Sequence, residues 1–220
     1  MNMIANDRAG ATVAKISLKD YHDQLENWLR KNSTDRVIAN SRHILQHYPR
    51  NVDTYHYLGQ ALLMTSNWLQ ASKVFRRILG VYPDDYDAHI SLHQAYERLN
   101  EHDAALWHLE RAFELQPENN ELIDKLRQMY REHRGLDLKK IPLTYGAAAR
   151  QFRASRLFPQ AINTLEDALV QATNRVDLRL LLAQVYWEAE RRVDAAEVAL
   201  EVLEQLPDCF DANLIMTMLW

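Results

Sequence analysis

The feature that most constrains this chain is a period of 34 residues marked by three prolines. Pro49, Pro83 and Pro117 are spaced by 34 residues, and each follows an apolar segment with helical character. Proline cannot continue a helix, because it lacks the amide hydrogen and its ring clashes with the preceding turn. The prolines therefore predict three equivalent helices that end at equivalent points. A fixed period of this length is typical of stacked helical repeats.

The same period recurs at small and large apolar positions between the prolines. Small residues such as Gly59, Ala71 and Ala105 let two antiparallel helices approach closely. Large residues are predicted to fill the space between one helical pair and the next. They are Trp28, Leu58, Leu62, Phe75, Leu92, Tyr96 and Leu109. Each unit is therefore predicted to be a helix, a short turn and a second helix, which buries its apolar face only against a neighbouring unit.

These positions resemble the tetratricopeptide repeat family. The match is most complete in Val52–Asp85, whereas Leu18–Asn51 and Tyr86–Asn119 keep fewer of the family's residues. The family's positions in the best unit are Tyr55, Leu58, Gly59, Leu62, Ala71, Phe75, Ile78 and Pro83. Only Leu62, where a second tyrosine is usual, and Ile78, where a small residue is usual, depart from the pattern. The resemblance implies an all-α fold, a right-handed α-solenoid of tetratricopeptide-type helix–turn–helix repeats.

A second series with the same period follows a break in phase. Ala161 and Ala195 are 34 residues apart, which places two further units at Pro142–Arg175 and Val176–Cys209. Gly135 is predicted to end an extra helix before them, because glycine is favoured just past a helix carboxyl terminus. The sequence leaves open whether the array bends at this break.

The chain is thus predicted to have four parts. A flexible tail at 1–17 precedes three repeats plus an extra helix at 18–134, and a joint at 135–141 follows. The last part, 142–220, holds two repeats plus a partial or capping helix.

Composition argues against several other classes of protein. A single cysteine excludes an intramolecular disulfide, and no apolar run is long enough to span a bilayer. The amino-terminal stretch lacks the apolar centre of a signal peptide, so a cytoplasmic protein is expected. The chain has 5 glycines, no phosphate-binding loop and no nucleophile–base motif, so we expect no enzyme and no cofactor. Histidine pairs at i, i+4 lack a third ligand, so no metal is expected.

Charge is unevenly distributed along the chain. Residues 125–156 carry nine basic and two acidic side chains, whereas the whole chain has a net charge of −4. A basic middle flanked by acidic ends predicts complementary charge on an acidic partner or on a second copy of the chain. Nucleic acid is disfavoured, because the chain is acidic overall and lacks interleaved aromatic residues for stacking bases.

The resemblance also implies where a partner binds, because first helices in this family line a concave groove for peptides or partner helices. The ninth position of successive repeats gives a row of glutamines, whose amides can donate and accept hydrogen bonds. Arginines near the joint can pair with carboxylates, and a groove tryptophan can anchor a side chain. The predicted partner-binding residues are Gln60, Gln94, Gln128, Arg131, Arg150, Arg153 and Trp187. The alternative is that the glutamines are helix formers on solvated faces and the arginines contact the acidic final units.

We therefore predict a protein–protein interaction module, a scaffold or regulatory domain that binds a peptide or partner protein in its concave groove. The alternative is self-association, as in a homodimer, through the apolar carboxyl-terminal helix and the basic middle segment. The apolar residues of that helix are Leu214, Ile215, Met218, Leu219 and Trp220.

Overall fold

The structure, a computed structural model, describes residues 17–219 as twelve α-helices joined by turns, with no strand in that range. The helices are α1 (Leu18–Arg30), α2 (Thr34–His47), α3 (Val52–Met64), α4 (Trp68–Leu79), α5 (Tyr86–Arg98), α6 (His102–Leu115), α7 (Asn120–Arg134), α8 (Tyr145–Ala154), α9 (Phe158–Gln171), α10 (Val176–Glu188), α11 (Arg192–Gln205) and α12 (Phe210–Thr217). The predicted all-α repeat fold is confirmed. The predicted tail, apart from Ser17, and Trp220 lie outside the described residues.

The helices pack as hairpins, each with a first and a second helix. The pairs are α1 with α2, α3 with α4, α5 with α6, α8 with α9 and α10 with α11. Every hairpin turn contains one residue in the left-handed region, with φ between 55° and 61°. These residues are Asn32, Ser66, Asn100, Arg156 and Glu190. One left-handed residue at a fixed place closes each turn in the same way.

Four of the five first helices, and the extra helix α7, begin at a side chain that accepts a hydrogen bond from a backbone N–H of the first turn. The capping residues of α1, α3, α5, α7 and α8 are Ser17, Asn51, Asp85, Asn119 and Thr144. Such caps satisfy amide groups that have no partner within the helix. Helix α10 is different, because Arg175 occupies its cap position and makes no such bond.

The two helices of the second hairpin approach closely at Gly59. A Cβ atom at this position would lie 2.5, 2.7 and 2.9 Å from three ring atoms of Phe75, which is fully buried. The aromatic ring therefore fills the space that any other residue's side chain would need. This contact explains why the most complete repeat has glycine at this position.

Curvature of the array follows from which helices touch. First helices of neighbouring hairpins contact each other, as α1 with α3, α3 with α5, and α8 with α10. Within residues 17–219, the second helices of neighbouring hairpins make no comparable contact. Because the first helices lie closer together, the array curves toward them. Their exposed faces form the concave surfaces of the molecule.

The array changes direction after α6. Helix α7 packs on α6, and Gly135 ends it with a left-handed conformation at φ 66°. Helix α8 then packs on α6 as well, and α7 and α8 make no such contact in the described range. We call α1–α7 the first group and α8–α12 the second group. The carboxyl-terminal end of α6 therefore contacts both groups.

The second group runs back along the loops of the first group. The backbone N–H of Phe210 donates to the carbonyl oxygen of Val81 at 3.0 Å, and the Phe210 ring lies 5.7 Å from that of Tyr82. Arg50 and Asp208 form an ion pair at 3.3 Å. The start of α12 thus faces the loops that join the first three hairpins.

The apolar interiors of the two groups are separate. Buried apolar residues of the second group form one cluster from Ala149 to Ile215. Those of the first group form two clusters between Leu25 and Met129. The buried residues that join the groups include charged side chains, which are described below. No helix in residues 17–219 has both the length and the hydropathy needed to cross a membrane.

Candidate partner-binding site

The concave surface of the first group carries the row of glutamines. Gln60 on α3 and Gln94 on α5 are exposed, and neither side chain has a hydrogen-bond partner among residues 17–219. Gln128 on α7 is also exposed, and its Nε2 donates to Glu132 at 2.9 Å. Helix α7 does not pack directly on α5, as α5 packs on α3, so Gln128 continues the row with a wider gap from Gln94.

Two histidines on this surface tie each first helix to the start of the next. Nε2 of His22 bonds Oδ1 of Asn51 at 3.1 Å, and Nε2 of His56 bonds Oδ2 of Asp85 at 3.0 Å. Asn51 and Asp85 are the capping residues of α3 and α5. Sequence reasoning missed this role, although a signal was present. Each histidine is followed 29 residues later by an asparagine or aspartate that caps a helix.

A hollow of about 400 Å³ lies between these helices. Its lining residues are His22, Asp53, His56, Tyr57, Gln60 and Asp87. Burial lowers the pKa of His56, but the hydrogen bond and charge of Asp85, with the charge of Asp87, outweigh it and raise the pKa overall. Burial and nearby carboxylates likewise raise the pKa of Tyr57. The carboxylates that contribute to both shifts make the local potential negative, which favours basic groups.

The basic segment at 125–156 is largely paired within the chain. Five of its nine basic side chains lie within ion-pair distance of a carboxylate. The pairs are Lys125–Glu97, Arg127–Asp124, Arg131–Asp137, Arg134–Asp103 and Arg153–Glu188. Several of these carboxylates lie outside the segment, so a count of net charge along the sequence does not show the pairing.

Polar side chains of the second group form a chain of contacts across its concave surface. Nη1 of Arg153 on α8 donates to Oε1 of Gln184 at 2.6 Å, and Nε2 of Gln184 donates to Asp211 on α12 at 2.8 Å. Trp187 packs partly against the core of this group. The guanidinium carbon of Arg192 lies 3.6 Å from the centre of a Trp187 ring and covers one face.

Arg150 lies where the end of α6 meets the second group. Glu114, near that end, accepts from Nη2 of Arg111 at 2.9 Å and from Nη2 of Arg175 at 2.6 Å. Arg175 also donates to both oxygens of Asp177, at 2.8 and 2.7 Å. Burial lowers the pKa of Arg150, and the charges of Glu114 and Asp177 oppose that effect. The junction of the two groups is thus a buried cluster of opposite charges.

The structure distributes the predicted partner-binding residues over two concave surfaces. The first surface carries Gln60, Gln94, Gln128 and Arg131, whereas the second carries Arg150, Arg153 and Trp187. Sequence reasoning assigned all seven to one concave groove and left open whether the array bends at the break in phase.

Histidines in the core make hydrogen bonds rather than a cluster with other possible ligands. His89 bonds His108 and the carbonyl oxygen of Pro83, and Nδ1 of His93 donates to the carbonyl oxygen of Ala105 at 3.1 Å. In the part of the chain that the structure describes, no three side chains gather as metal ligands.

Comparison with known proteins places the repeats in a family. Two family models described as tetratricopeptide repeat match residues 56–120 and 152–219, together more than half of the chain. No curated protein gives a significant match.

Several solved structures are similar to this chain. A crystal structure of MamA is 18% identical with a TM-score of 0.48, covering 86% of this chain and 95% of its own. YrrB, described as a TPR protein with an unusual peptide-binding site, is 17% identical with a TM-score of 0.47, covering 90% and 91%. TTC0263, a thermophilic TPR protein in Thermus thermophilus, is 16% identical with a TM-score of 0.45, covering 91% and 98%.

The two family matches fall on the regular hairpins; one ends at Asn120, the first residue of α7, and neither includes the turn of the chain toward α8. The hairpins, their caps and their close contacts agree with this assignment. The chain belongs to the tetratricopeptide repeat family, and its repeats form a protein–protein interaction module.

Proposed function

We propose that this protein binds a partner protein or an extended peptide on the concave surface of the first group, as a scaffold or regulatory module without catalytic activity. The observation that carries the proposal is the pair Gln60 and Gln94. They occupy the same repeat position on neighbouring first helices, both exposed, with amides unbonded among residues 17–219. Each amide offers two donors and an acceptor to a partner backbone.

Charge along this surface supports a partner of mixed charge. Asp53 and Asp87 line the hollow beside Tyr57, and they favour a basic side chain there. At the other end, Arg131 can bind an acidic group. It is paired with Asp137, and both side chains are exposed, Arg131 at 65% and Asp137 at 78%. Such exposed pairs contribute about 0–1 kcal/mol, so a partner carboxylate can replace Asp137. Gln128 lies between these two ends of the surface.

The second concave surface is the less open of the two. Arg153 and Trp187 are partly exposed but engaged with neighbours, and Arg150 is largely enclosed by the junction. We therefore assign them a secondary part in partner binding. Charge reversal at Arg150 would disturb the junction itself, so it does not test partner binding cleanly.

Photo-crosslinking tests the proposed surface. A photoreactive amino acid in place of Gln60 or Gln94 is expected to capture a discrete partner in cells of the source organism. The same amino acid in place of Gln46, an exposed glutamine on the second helix α2, is the matched control. Equal capture from all three positions would contradict the proposal.

Affinity measurements with the purified partner then give the magnitude. The double substitution Q60K/Q94K is expected to weaken binding at least about tenfold, which equals about 1.4 kcal/mol. Q46K is expected to leave the affinity unchanged. If both variants bind like the wild-type protein, this surface does not contact the partner.

Self-association is a second candidate function, favoured by an apolar stripe on α12. Phe210, Leu214 and Met218 are 49%, 39% and 59% exposed, and their spacing of four residues aligns them along one side of α12, with Met218 just past its end. Leu219 is also exposed, at 37%, whereas Ile215 is buried in the core. Exposed apolar stripes of this kind often mark interfaces.

Light scattering after size-exclusion chromatography, across protein concentration, tests self-association. A dimer formed through this stripe is expected to dissociate in L214K/M218K. V170K/V193K replaces two exposed valines elsewhere and serves as the control. A wild-type monomer at the highest concentration would remove this candidate.

A further inference from the structure

The end of α6 fills a position on the second concave surface that a side chain of the second group would otherwise occupy. In the first group, the fifth residue of a repeat reaches the residue that caps the next first helix, as His56 reaches Asp85. The equivalent residues of the second group are Gly146 on α8 and Arg175 at the start of α10. Gly146 has no side chain, and Glu114 makes the bond to Arg175 instead.

Close packing shows that Glu114 occupies the missing side chain's space. A Cβ atom on Gly146 would lie 2.7 Å from the carboxyl carbon of Glu114, which leaves no room for both. The Glu114 side chain is only 2% exposed. A carboxylate from the first group is thus held inside the concave surface of the second group.

We propose that this position is a carboxylate-binding site of the second concave surface, filled from within by Glu114, and that an acidic segment of a partner protein takes its place when the two groups separate. The site is distinct from the surface of Gln60 and Gln94. It does not require that surface to bind a partner.

The chemistry of the site selects a carboxylate. Arg175 donates a hydrogen bond to Glu114, and Arg150 lies close by, since its Nη1 donates to the carbonyl oxygen of Gly146, against which Glu114 packs. Both arginines belong to the second group, whereas Arg111, which also donates to Glu114, lies on α6 and moves with it. Guanidinium groups bind carboxylates with well-defined geometry and strong, charge-assisted hydrogen bonds.

An adjoining cavity indicates what flanks the carboxylate. It has a volume of about 550 Å³, and much of its wall is apolar. The apolar wall residues include Leu143, Ala148, Ala168, Ala172 and Leu178. The occupant is therefore an acidic residue next to small or medium apolar residues in an extended segment.

The junction is built so that the groups can separate. Each group has its own apolar core, and the link between α7 and α8 contains no helix. Buried ion pairs add little net stability, because the loss of hydration offsets much of their attraction. Glu114 nevertheless outcompetes a free carboxylate, because a tethered group acts at an effective concentration in the range of about millimolar or higher.

Chemical rescue tests whether a free carboxylate can enter the site. The variant E114A is expected to have a lower Tm than the wild-type protein. Sodium acetate is expected to raise that Tm in a saturable manner by about 2–4 °C beyond sodium chloride at equal ionic strength. Acetate should have no such effect on the wild-type protein or on E118A, which removes an exposed glutamate. A response equal to that of chloride would contradict the proposal.

Peptide binding tests the partner class. A capped, fluorescent peptide of alternating Glu and Ala is expected to bind E114A at least tenfold more tightly than the wild-type protein, whereas its Gln analogue binds neither. Adding R175A to E114A is expected to abolish the gain. If E114A does not fold, E114S provides the same comparison, because serine is also shorter than glutamate and uncharged, so it leaves the position empty. Folded E114A or E114S with wild-type peptide affinity would overturn the proposal, and binding at Gln60 and Gln94 would be unaffected by that result.

Discussion

Lowering the pH from 7 to 5 should destabilise the fold through one buried pair of histidines. Nε2 of His89 lies 3.1 Å from the carbonyl oxygen of Pro83, so this nitrogen carries the proton. Nδ1 of neutral His89 is then an acceptor, and Nδ1 of His108 donates to it at 3.0 Å. A further proton on His89 would place two N–H donors face to face, whereas a further proton on Nε2 of His108 would place a positive charge on a buried ring. Protonation therefore disfavours the folded state.

The magnitude follows from the pKa of His108. Burial, with the charges of His89 and Arg111, lowers that pKa to about 3, whereas an unfolded histidine has a pKa of about 6.5. Between these values the unfolded chain binds more protons than the folded chain, so stability is complete above about pH 6.5 and is lost as the pH falls. At pH 5 the gap from the unfolded pKa is about 1.5 units, which corresponds to about 2 kcal/mol. Burial also lowers the pKa of His89, which acts in the same direction.

Urea unfolding of the wild-type protein and H108N at both pH values measures this effect. Asparagine keeps an N–H donor near Nδ1 but does not titrate in this range. We expect the wild-type protein to lose about 2 kcal/mol more than H108N between pH 7 and pH 5. Carboxylates that titrate in the same window are common to both proteins and cancel in the comparison. Equal losses in the two proteins would refute the assignment of His108.

Three further substitutions test contacts on which the fold depends. G59A places a methyl group against the ring of Phe75, and urea unfolding should show a loss of about 1–3 kcal/mol, whereas a gain of stability would show that the helices can separate there without cost. D85A removes the cap of α5, and the same assay should show a loss of about 1 kcal/mol, with a smaller loss for D85N. G146A displaces the carboxylate of Glu114, so limited proteolysis should cut the link between α7 and α8 faster than in the wild-type protein; an unchanged rate would mean that the junction does not hold the groups together.

The repeats could be predicted from the sequence because their determinants are local and periodic. Pro49 and its equivalents mark the helix ends, Gly59 marks a close contact, and Gly135 marks the end of α7. Each of these residues acts through backbone geometry or a neighbour within its own hairpin. A fixed spacing is therefore sufficient to find them.

The return of the second group onto the first could not be predicted in the same way. Glu114 and Arg175 are 61 residues apart, and their contact depends on the direction the chain takes after α7. Two local exceptions did signal it. Arg175 stands at a cap position where most other first helices have a capping side chain, and Gly146 stands where the first two repeats have histidine.

The candidate site was predictable only in part for a related reason. Repeat position alone placed Gln60 and Gln94 on a concave surface. Net charge, in contrast, predicted a basic surface at residues 125–156, but the fold brings carboxylates such as Glu97 and Glu188 to these cations. Pairing across distant repeats is a property of the folded chain, which a count along the sequence does not contain.

The central claim is that the second group returns along the first, so that one concave surface is filled by the chain itself and the other stays open. Intramolecular crosslinking of R50C/D208C with a short bis-maleimide, in a protein with Cys209→Ala, tests it most directly, because these two side chains meet at 3.3 Å. We expect rapid crosslinking within the monomer, and none for the control pair R50C/E190C. Full labelling of both cysteines without a 50–208 crosslink would contradict the account.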